Sequence, residues 1–525
     1  MRFGTAVQRW RYEVTLAGIV LASLLFRVHV SNECSLWLDE TITRADVLKS
    51  WPVVLAGPER VHPPLLFVLT KAVTDVFGAG ETSLRAVSLV FGCVLLVAVY
   101  WLGAELGLKP LRRLAVVASL AVAPFFLSHT TEARQYALFP AFGTLAIAAT
   151  LGLWREPVRL RYLALFATSA AGMALTHYFG LAYAVALFGV VMLGTLLRWP
   201  ELVVGRRTLA AALMIVLPLL GVFAWVALRA VALARYYDRH QSGSGTVPWS
   251  DLLRELLREF AFTTAPSIRI PQAVLAVVGL ALLGRSLRGG ARLVPATLAF
   301  GPCLVALFIT SGHFVAARYL APSWVLYHVG ACAALFELGD RARLLATRAP
   351  ARFGAALAWA PFVLPLGLRF AEYPDAYGTG EEDYRGFQRD FLAKFASDTV
   401  LVTFDSGFAD RILSVYGVGQ RPLALDKFRP VHGVKRYLVA EMHVRGAARR
   451  AKFEALLAAR MGISPSVWQS LPLVDLPETT YQPSVSARLV VFDDDQSTAL
   501  PAPRTQREQP RKHRRHAPRE HEYSE

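Results

Sequence analysis

Cysteine is scarce in this chain, four residues in 525, and the four are scattered. Cys93, Cys303 and Cys332 fall inside apolar runs and Cys34 stands alone in a connecting segment, which excludes a disulfide framework and gives cysteine no functional role. No His/Glu pair stands at helical or short-loop metal spacing, so no required divalent metal and no other cofactor is expected. No glycine-rich phosphate loop accompanies the strand-like segments near the carboxyl terminus. No half of the chain repeats the other, which argues against a transporter built from internal repeats. Charged residues are also few, at 18%, while hydrophobic residues reach 54% and the mean hydropathy is +0.39. That balance is too apolar for a row of soluble domains and places most of the chain in lipid.

What is present is a series of apolar runs long enough to cross a bilayer. They fall near residues 14 to 30, 84 to 105, 113 to 129, 137 to 154, 161 to 177, 180 to 197, 208 to 228, 270 to 285, 293 to 311, 319 to 338 and 353 to 370, eleven spans in all. The first follows Arg2, Arg9 and Arg11 as a signal peptide would, but no small-residue cleavage site follows it and it reads as a retained anchor. The stretch 65–77 is left out: it is short, begins after two prolines and carries Lys71 and Asp75, which suits an interfacial helix.

Charge fixes the orientation. The formal net charge is +17, and with 65–77 omitted, alternate loops collect nineteen basic residues, among them Arg112, Arg113, Arg155, Arg159, Arg206, Arg207, Arg341 and Arg343. The short loops opposite hold only Arg134 and Arg318, so the positive-inside rule puts the amino terminus in the cytoplasm. Residues 1–370 then form a transmembrane domain whose first outer loop spans 31–83. Residues 371–495 form a small extracytoplasmic α/β domain, with strands expected over 399–404, 436–442 and 487–492 and a helix over 447–460. Residues 496–525, with a basic run from Arg511 to His516, form a polar tail without apolar periodicity. A longer outer loop, 229–269, contains an amphipathic helix over 249–260 and is of a length usually tied to function.

With this topology, one face of the membrane gathers acids, guanidiniums and imidazoles: Asp39, Glu40, His62, Glu132, Arg134, Tyr136, His177, Tyr178, His240, His313, Arg318 and Tyr319. An ionised Asp at mid-bilayer costs about 2.5 to 3.5 kcal/mol, so the adjacent pair Asp39-Glu40 belongs at the interface or in a watery cavity. Either it caps a helix over 41–50, or it supplies a carboxylate base for an acceptor hydroxyl. His62-Pro63-Pro64-Leu65 is either a stiff helix start or a device that holds His62 toward the acids. Arg134 and Arg318 either snorkel to headgroups or present a fork to a phosphate, for which Arg suits better than Lys.

Trp37-Leu38-Asp39-Glu40, the gap to His62-Pro63-Pro64-Leu65, Leu84-Arg85-Ala86-Val87-Ser88 and Glu132-Ala133-Arg134-Gln135-Tyr136 together resemble the integral-membrane glycosyltransferases of the C-type fold. Within these the chain is similar to the group of family 39, protein O-mannosyltransferases and lipid A aminoarabinose transferases. The resemblance covers about residues 14 to 180, weakens through the middle, and returns at Arg318-Tyr319-Leu320-Ala321-Pro322. It implies an α-helical polytopic membrane enzyme, and the many arginines against few lysines point to a bacterial plasma membrane. Such an enzyme transfers a hexose or pentose, mannosyltransferase-like, from a polyprenyl-phosphate sugar to a glycan, lipid or protein acceptor with inversion; no nucleic acid is involved. It further implies Asp39 as base with Glu40 as helper, and Arg134 on the donor phosphate. His62, Arg318, Tyr136, Glu132, Tyr319 and His177 complete the substrate-binding set. The carboxyl-terminal module departs from the extra domain of protein O-mannosyltransferases. Two other classes stay open at this point: a multi-span lipid or sugar transporter or flippase, and a binding domain on a membrane anchor.

Overall fold

In a computed structural model of the chain, the described residues are 2–57, 62–157, 159–197, 205–240, 249–260, 266–287, 317–345, 384–387, 389, 399–404, 415, 423–429, 436–441, 447–471, 473 and 486–491. The chain divides into two compact units. One comprises Met1–Asp390, Arg411–Val418 and Leu476–Val485, and the other Phe391–Asp410, Gly419–Asp475 and Ser486–Glu525.

The first unit is helical. Among the described residues its helices are α1 (Arg2–Glu33), α2 (Leu38–Val47), α3 (Trp51–Ala56), α4 (Leu65–Phe77), α5 (Glu81–Glu105), α6 (Pro110–Ala121), α7 (Pro124–Thr130), α8 (Leu138–Arg155), α9 (Leu160–Thr176), α10 (Tyr178–Leu197), α11 (Arg206–His240), α12 (Trp249–Glu259), α13 (Pro266–Ser286) and α14 (Ala321–Leu345), the last entered through a 3₁₀ turn at Ala317–Leu320. Six helices among the described residues are long and apolar enough to cross a membrane: Trp10–Glu33, Glu81–Glu105, Leu138–Arg155, Tyr178–Leu197, Arg206–Leu233 and Ala317–Ala342. Their environments differ. The most apolar stretch of Ala317–Ala342 is 94% buried, so α14 is the central post, whereas that of Arg206–Leu233 is 17% buried and presents its apolar side outward, as a lipid-facing helix does.

Three sequence expectations change. The expected span 113–129 is two helices, because Pro124 lacks an N–H and steers Ala123 out of the helical region, to φ −69 and ψ 131. The expected loop from 229 instead continues α11 as far as His240, so that helix runs 35 residues with Pro218 inside it. Tyr384 and Arg385, read with the carboxyl-terminal module, pack in the first unit: Arg385 meets Glu81 at 3.1 Å and the Asn32 carbonyl at 2.8 Å. The short helix 65–77 lies where it was expected. The expected spans 293–311 and 353–370, His313 and the tail 496–525 fall outside the described residues.

The helices share a polarity that positions the site. Arg85 lies one turn into α5 and Glu105 ends it, about 30 Å apart at 1.5 Å per residue, which matches the hydrocarbon core. At the Glu105 end, Arg155 of α8 pairs with Glu105 at 2.7 Å, and Arg112 pairs with Asp340 of α14. Arg85, the start of α8 and the 3₁₀ turn before α14 therefore belong to the opposite end. Helix α13 lies so close to α14 that a Cβ at Gly279 would overlap the Gly330 carbonyl, the small-residue contact by which membrane helices gain packing without a hydrophobic drive.

Among its described residues the second unit holds a four-stranded sheet in the order β2-β1-β3-β4, with β1 (Thr399–Thr403), β2 (Leu423–Ala424), β3 (Arg436–Glu441) and β4 (Ser486–Val491). β1 is parallel to β2 and β3, and β4 runs antiparallel to β3. Helix α15 (Ala447–Met461) contributes Phe453 and Leu457 to a core shared with Val402, Tyr437 and Trp468.

Candidate active site

The site is built around a buried ion pair. Arg85, one turn into α5, is 2% exposed, and Glu40 is fully buried. The guanidinium donates to Glu40 through Nε at 2.7 Å and Nη2 at 2.6 Å. It also donates to the carbonyls of Ser31, Cys34 and Ser35 at 2.5, 2.8 and 2.9 Å, closing the open carbonyl end of α1. Glu40 accepts further bonds from the backbone N–H of Ala133 at 2.7 Å and of Trp37 at 3.2 Å. The Arg85–Glu40 pair thus fastens α1, α2, α5 and the 132–136 turn. The same burial pushes the Cys34 thiol up to about 11, against the pull of Arg85, so it stays protonated.

Asp39 differs from its neighbour. Helix α2 starts at Leu38 with Trp37 as N-cap, so Asp39 sits in the first turn rather than at the cap, and Glu40 occupies the third helical position. The helix turns the two side chains apart. The Asp39 carboxylate keeps 26% exposure and lies 3.8 Å from Arg134 Nη2. Arg134, 4% exposed, is fixed by donating to the Asp39 carbonyl at 3.3 Å and to Thr43 Oγ1 at 3.2 Å. Its own carbonyl accepts from Ser88 Oγ of α5 at 3.1 Å.

Around Arg134 stand two buried imidazoles. His62 precedes α4, and the Gln135 amide nitrogen lies 3.2 Å from its Nδ1 and 3.1 Å from its Nε2. Burial first, then the charge of Arg134, the ring of His177 and the charge of Arg318 hold His62 well below the ordinary imidazole range. His177 lies in extended conformation between α9 and α10. That break is tight: a Cβ at Gly180 would overlap the Met173 carbonyl, so glycine is required there. The His177 ring stacks on Phe139 at 5.3 Å and faces Tyr319 at 4.8 Å and His62 at 5.5 Å. Burial, then Arg134 and Arg318, bring it down to about 3, so both imidazoles are neutral at neutral pH.

Arg318 lies over the Tyr136 ring, 5.1 Å from its centroid, a cation–π placement that points a second guanidinium into the same region. Burial raises the Tyr136 hydroxyl well above its usual value despite Arg318 and Arg134, so it remains a neutral donor. Glu132 is 18% exposed, with His129 3.6 Å away, and its carbonyl accepts from the Arg134 N–H at 2.8 Å.

Asp39, Glu40, His62, Glu132, Arg134, Tyr136, His177, Arg318 and Tyr319 are therefore gathered at one end of the bundle, from five separate segments. Tyr178 opens α10, and His240 closes α11. Sequence reasoning gave no role to Arg85, Thr43 or Gln135. A signal for Arg85 was present, since an arginine inside the apolar register of α5 needs a buried partner.

Among known proteins, no family model matches the chain and no curated protein matches its sequence. Solved structures do. The chain resembles ArnT from Cupriavidus metallidurans in the apo state at 13% identity and a TM-score of 0.50, over 92% of this chain and 98% of that one. The same protein bound to undecaprenyl phosphate matches at 14% identity and a TM-score of 0.47, over 94% and 99%. The archaeal oligosaccharyltransferase AglB from Archaeoglobus fulgidus, in complex with an inhibitory peptide and a dolichol-phosphate, matches at 14% identity and a TM-score of 0.42, over 86% and 72%. At these identities what is shared is the fold, and the ArnT apo structure carries that likeness along nearly the full length of both chains.

Proposed function

We propose that the chain is an integral-membrane glycosyltransferase that moves a sugar from a polyprenyl-phosphate donor to an acceptor on the extracytoplasmic side. The observation that carries the reading is the pairing of a partly exposed carboxylate, Asp39, with the buried guanidinium of Arg134 at 3.8 Å. Arg318 stands over Tyr136 in the same cluster. The fold likeness to ArnT and the order of the sequence motifs agree with it. The basic ends of the helices lie opposite the site, which suits a cytoplasmic amino terminus and a site facing the other way. Nucleotide sugars are not available there, so the donor has to be carried in the membrane.

In this reading the acceptor hydroxyl oxygen bonds to the anomeric carbon as the bond from that carbon to the phosphate oxygen breaks. Asp39 takes the hydroxyl proton, and polyprenyl phosphate departs as the anion with inversion at the sugar. A phosphate ester leaves without a general acid, so one carboxylate suffices where a glycosidase needs two. Arg134 and Arg318 meet the charge growing on the phosphate, in surroundings where one such donor is worth about 3 to 4 kcal/mol. Glu40, with both oxygens already bonded, positions Asp39 and does not exchange a proton. The chemistry leaves the sugar, whether mannose or a pentose, and the acceptor class open.

Transfer from a labelled polyprenyl-phosphate sugar by the purified protein tests the proposal. Asp39→Asn is expected to slow it about 10²- to 10⁴-fold, with the folded state intact. Equal rates for the two proteins would remove Asp39 as the base.

A further inference from the structure

Besides the Nε of the Arg318 guanidinium, two uncharged buried polar atoms in the cluster have no partner among the described residues, the Nε2 of His177 and the Oε1 of Gln135. Their residues are 4% and 1% exposed. Such atoms are costly to leave unmatched inside a protein, by about 1–3 kcal/mol each. Neither is explained by the ion pairs that organise the rest of the site.

The hydrogen bonds fix which of the two donates. The Phe179 backbone N–H donates to His177 Nδ1 at 3.1 Å, so Nδ1 is the unprotonated nitrogen. A neutral imidazole then carries its proton on Nε2. The Phe139 ring, stacked 14° from parallel, holds that orientation. Gln135 uses its amide N–H on His62, which leaves the amide oxygen as an acceptor. Both atoms flank His62, whose ring centroid is 5.5 Å from that of His177. The result is one uncharged donor and one uncharged acceptor, carried by two residues that both meet the His62 ring.

We propose that His177 Nε2–H and Gln135 Oε1 form a sugar-reading subsite that bonds hydroxyl groups of the donor's sugar ring. This rests on the lipid-phosphate donor reading above and adds to it the group that distinguishes a glycosylated lipid from the bare phosphate. A hydroxyl both donates and accepts, so it satisfies either atom, whereas a phosphate oxygen can only accept and would leave Gln135 unmatched. The guanidiniums hold the phosphate, and the neutral pair holds the sugar.

The test compares binding of undecaprenyl phosphate and of undecaprenyl-phosphate mannose to the full-length protein in detergent. Wild type is expected to bind the mannosyl lipid more tightly than the bare lipid. His177→Asn keeps an acceptor for the Phe179 N–H but loses the ε donor, and Gln135→Met loses the acceptor. Each is expected to weaken binding of the mannosyl lipid about 10- to 100-fold with little change for the bare lipid. His177→Gln, which returns an N–H near the ε position, is expected to recover part of the loss. A preference for the mannosyl lipid that survives both substitutions, equal weakening of both lipids, or a wild type with no preference would each overturn the subsite. Absence of binding to either lipid by wild type, or binding insensitive to Arg134→Gln, would instead overturn the donor reading beneath it.

Discussion

Glu40→Gln is the perturbation that separates architecture from chemistry in the acid pair. Glu40 is fully buried and accepts from Arg85 at 2.6 and 2.7 Å, from Ala133 at 2.7 Å and from Trp37 at 3.2 Å. An amide has one oxygen where the carboxylate has two, so half of those donors lose their acceptor. Arg85, 2% exposed, keeps its charge and loses its counter-ion. Breaking one side of such a pair costs about 3–5 kcal/mol, a large part of the roughly 5–15 kcal/mol that holds a typical fold. Asp39→Asn removes a carboxylate that is a quarter exposed and 3.8 Å from its partner, a contact worth about 1 kcal/mol or less. In a thermal melt of the purified protein, Glu40→Gln should lower the midpoint on the order of 5 °C, while Asp39→Asn should stay within about 2 °C of wild type. Adding Arg85→Met to Glu40→Gln should cost less than the sum of the two single changes, because the stranded charge is removed with its partner. A Glu40→Gln protein that melts with wild type yet has lost transfer would refute the reasoning and make Glu40 the proton acceptor.

Acidification below about pH 6.5 should destabilise the first unit. His62 and His177 are held below the ordinary imidazole value. Between about pH 6.5 and the lower folded values, the unfolded chain therefore binds protons that the folded chain does not. Stability is fully present above pH 6.5 and falls by up to about 1.4 kcal/mol per pH unit for each imidazole below it. Melts at pH 7, 6 and 5 should show the slope, and His177→Asn should flatten it. Arg134→Gln should slow transfer about 10²- to 10³-fold and weaken binding of bare undecaprenyl phosphate; unchanged binding would take Arg134 away from the phosphate. Gly279→Val should separate α13 from α14, since even a Cβ there overlaps the Gly330 carbonyl. A lowered melting midpoint and poor yield from membranes are the expected readouts, and wild-type behaviour would dismiss the close contact.

The sequence by itself determined the membrane class, six of the expected apolar spans, the short helix 65–77 and the motifs that hold Asp39, His62, Arg134 and Arg318. These are local or compositional properties: hydrophobic length follows from bilayer thickness, and loop charge follows from insertion. The break at Pro124 was also written in the chain, but a window of hydropathy averages over it. Only the tertiary structure decided the separate environments of Asp39 and Glu40. Adjacent residues on a helix point about 100° apart, and which one faces the buried Arg85 depends on how α2 lies against α5. The tautomer of His177 was equally out of reach, because it depends on the N–H of Phe179 in a break whose geometry Gly180 permits. The acid pair met first as one motif is therefore two groups with different surroundings, one paired with Arg85 to tie four segments together and one open beside a guanidinium.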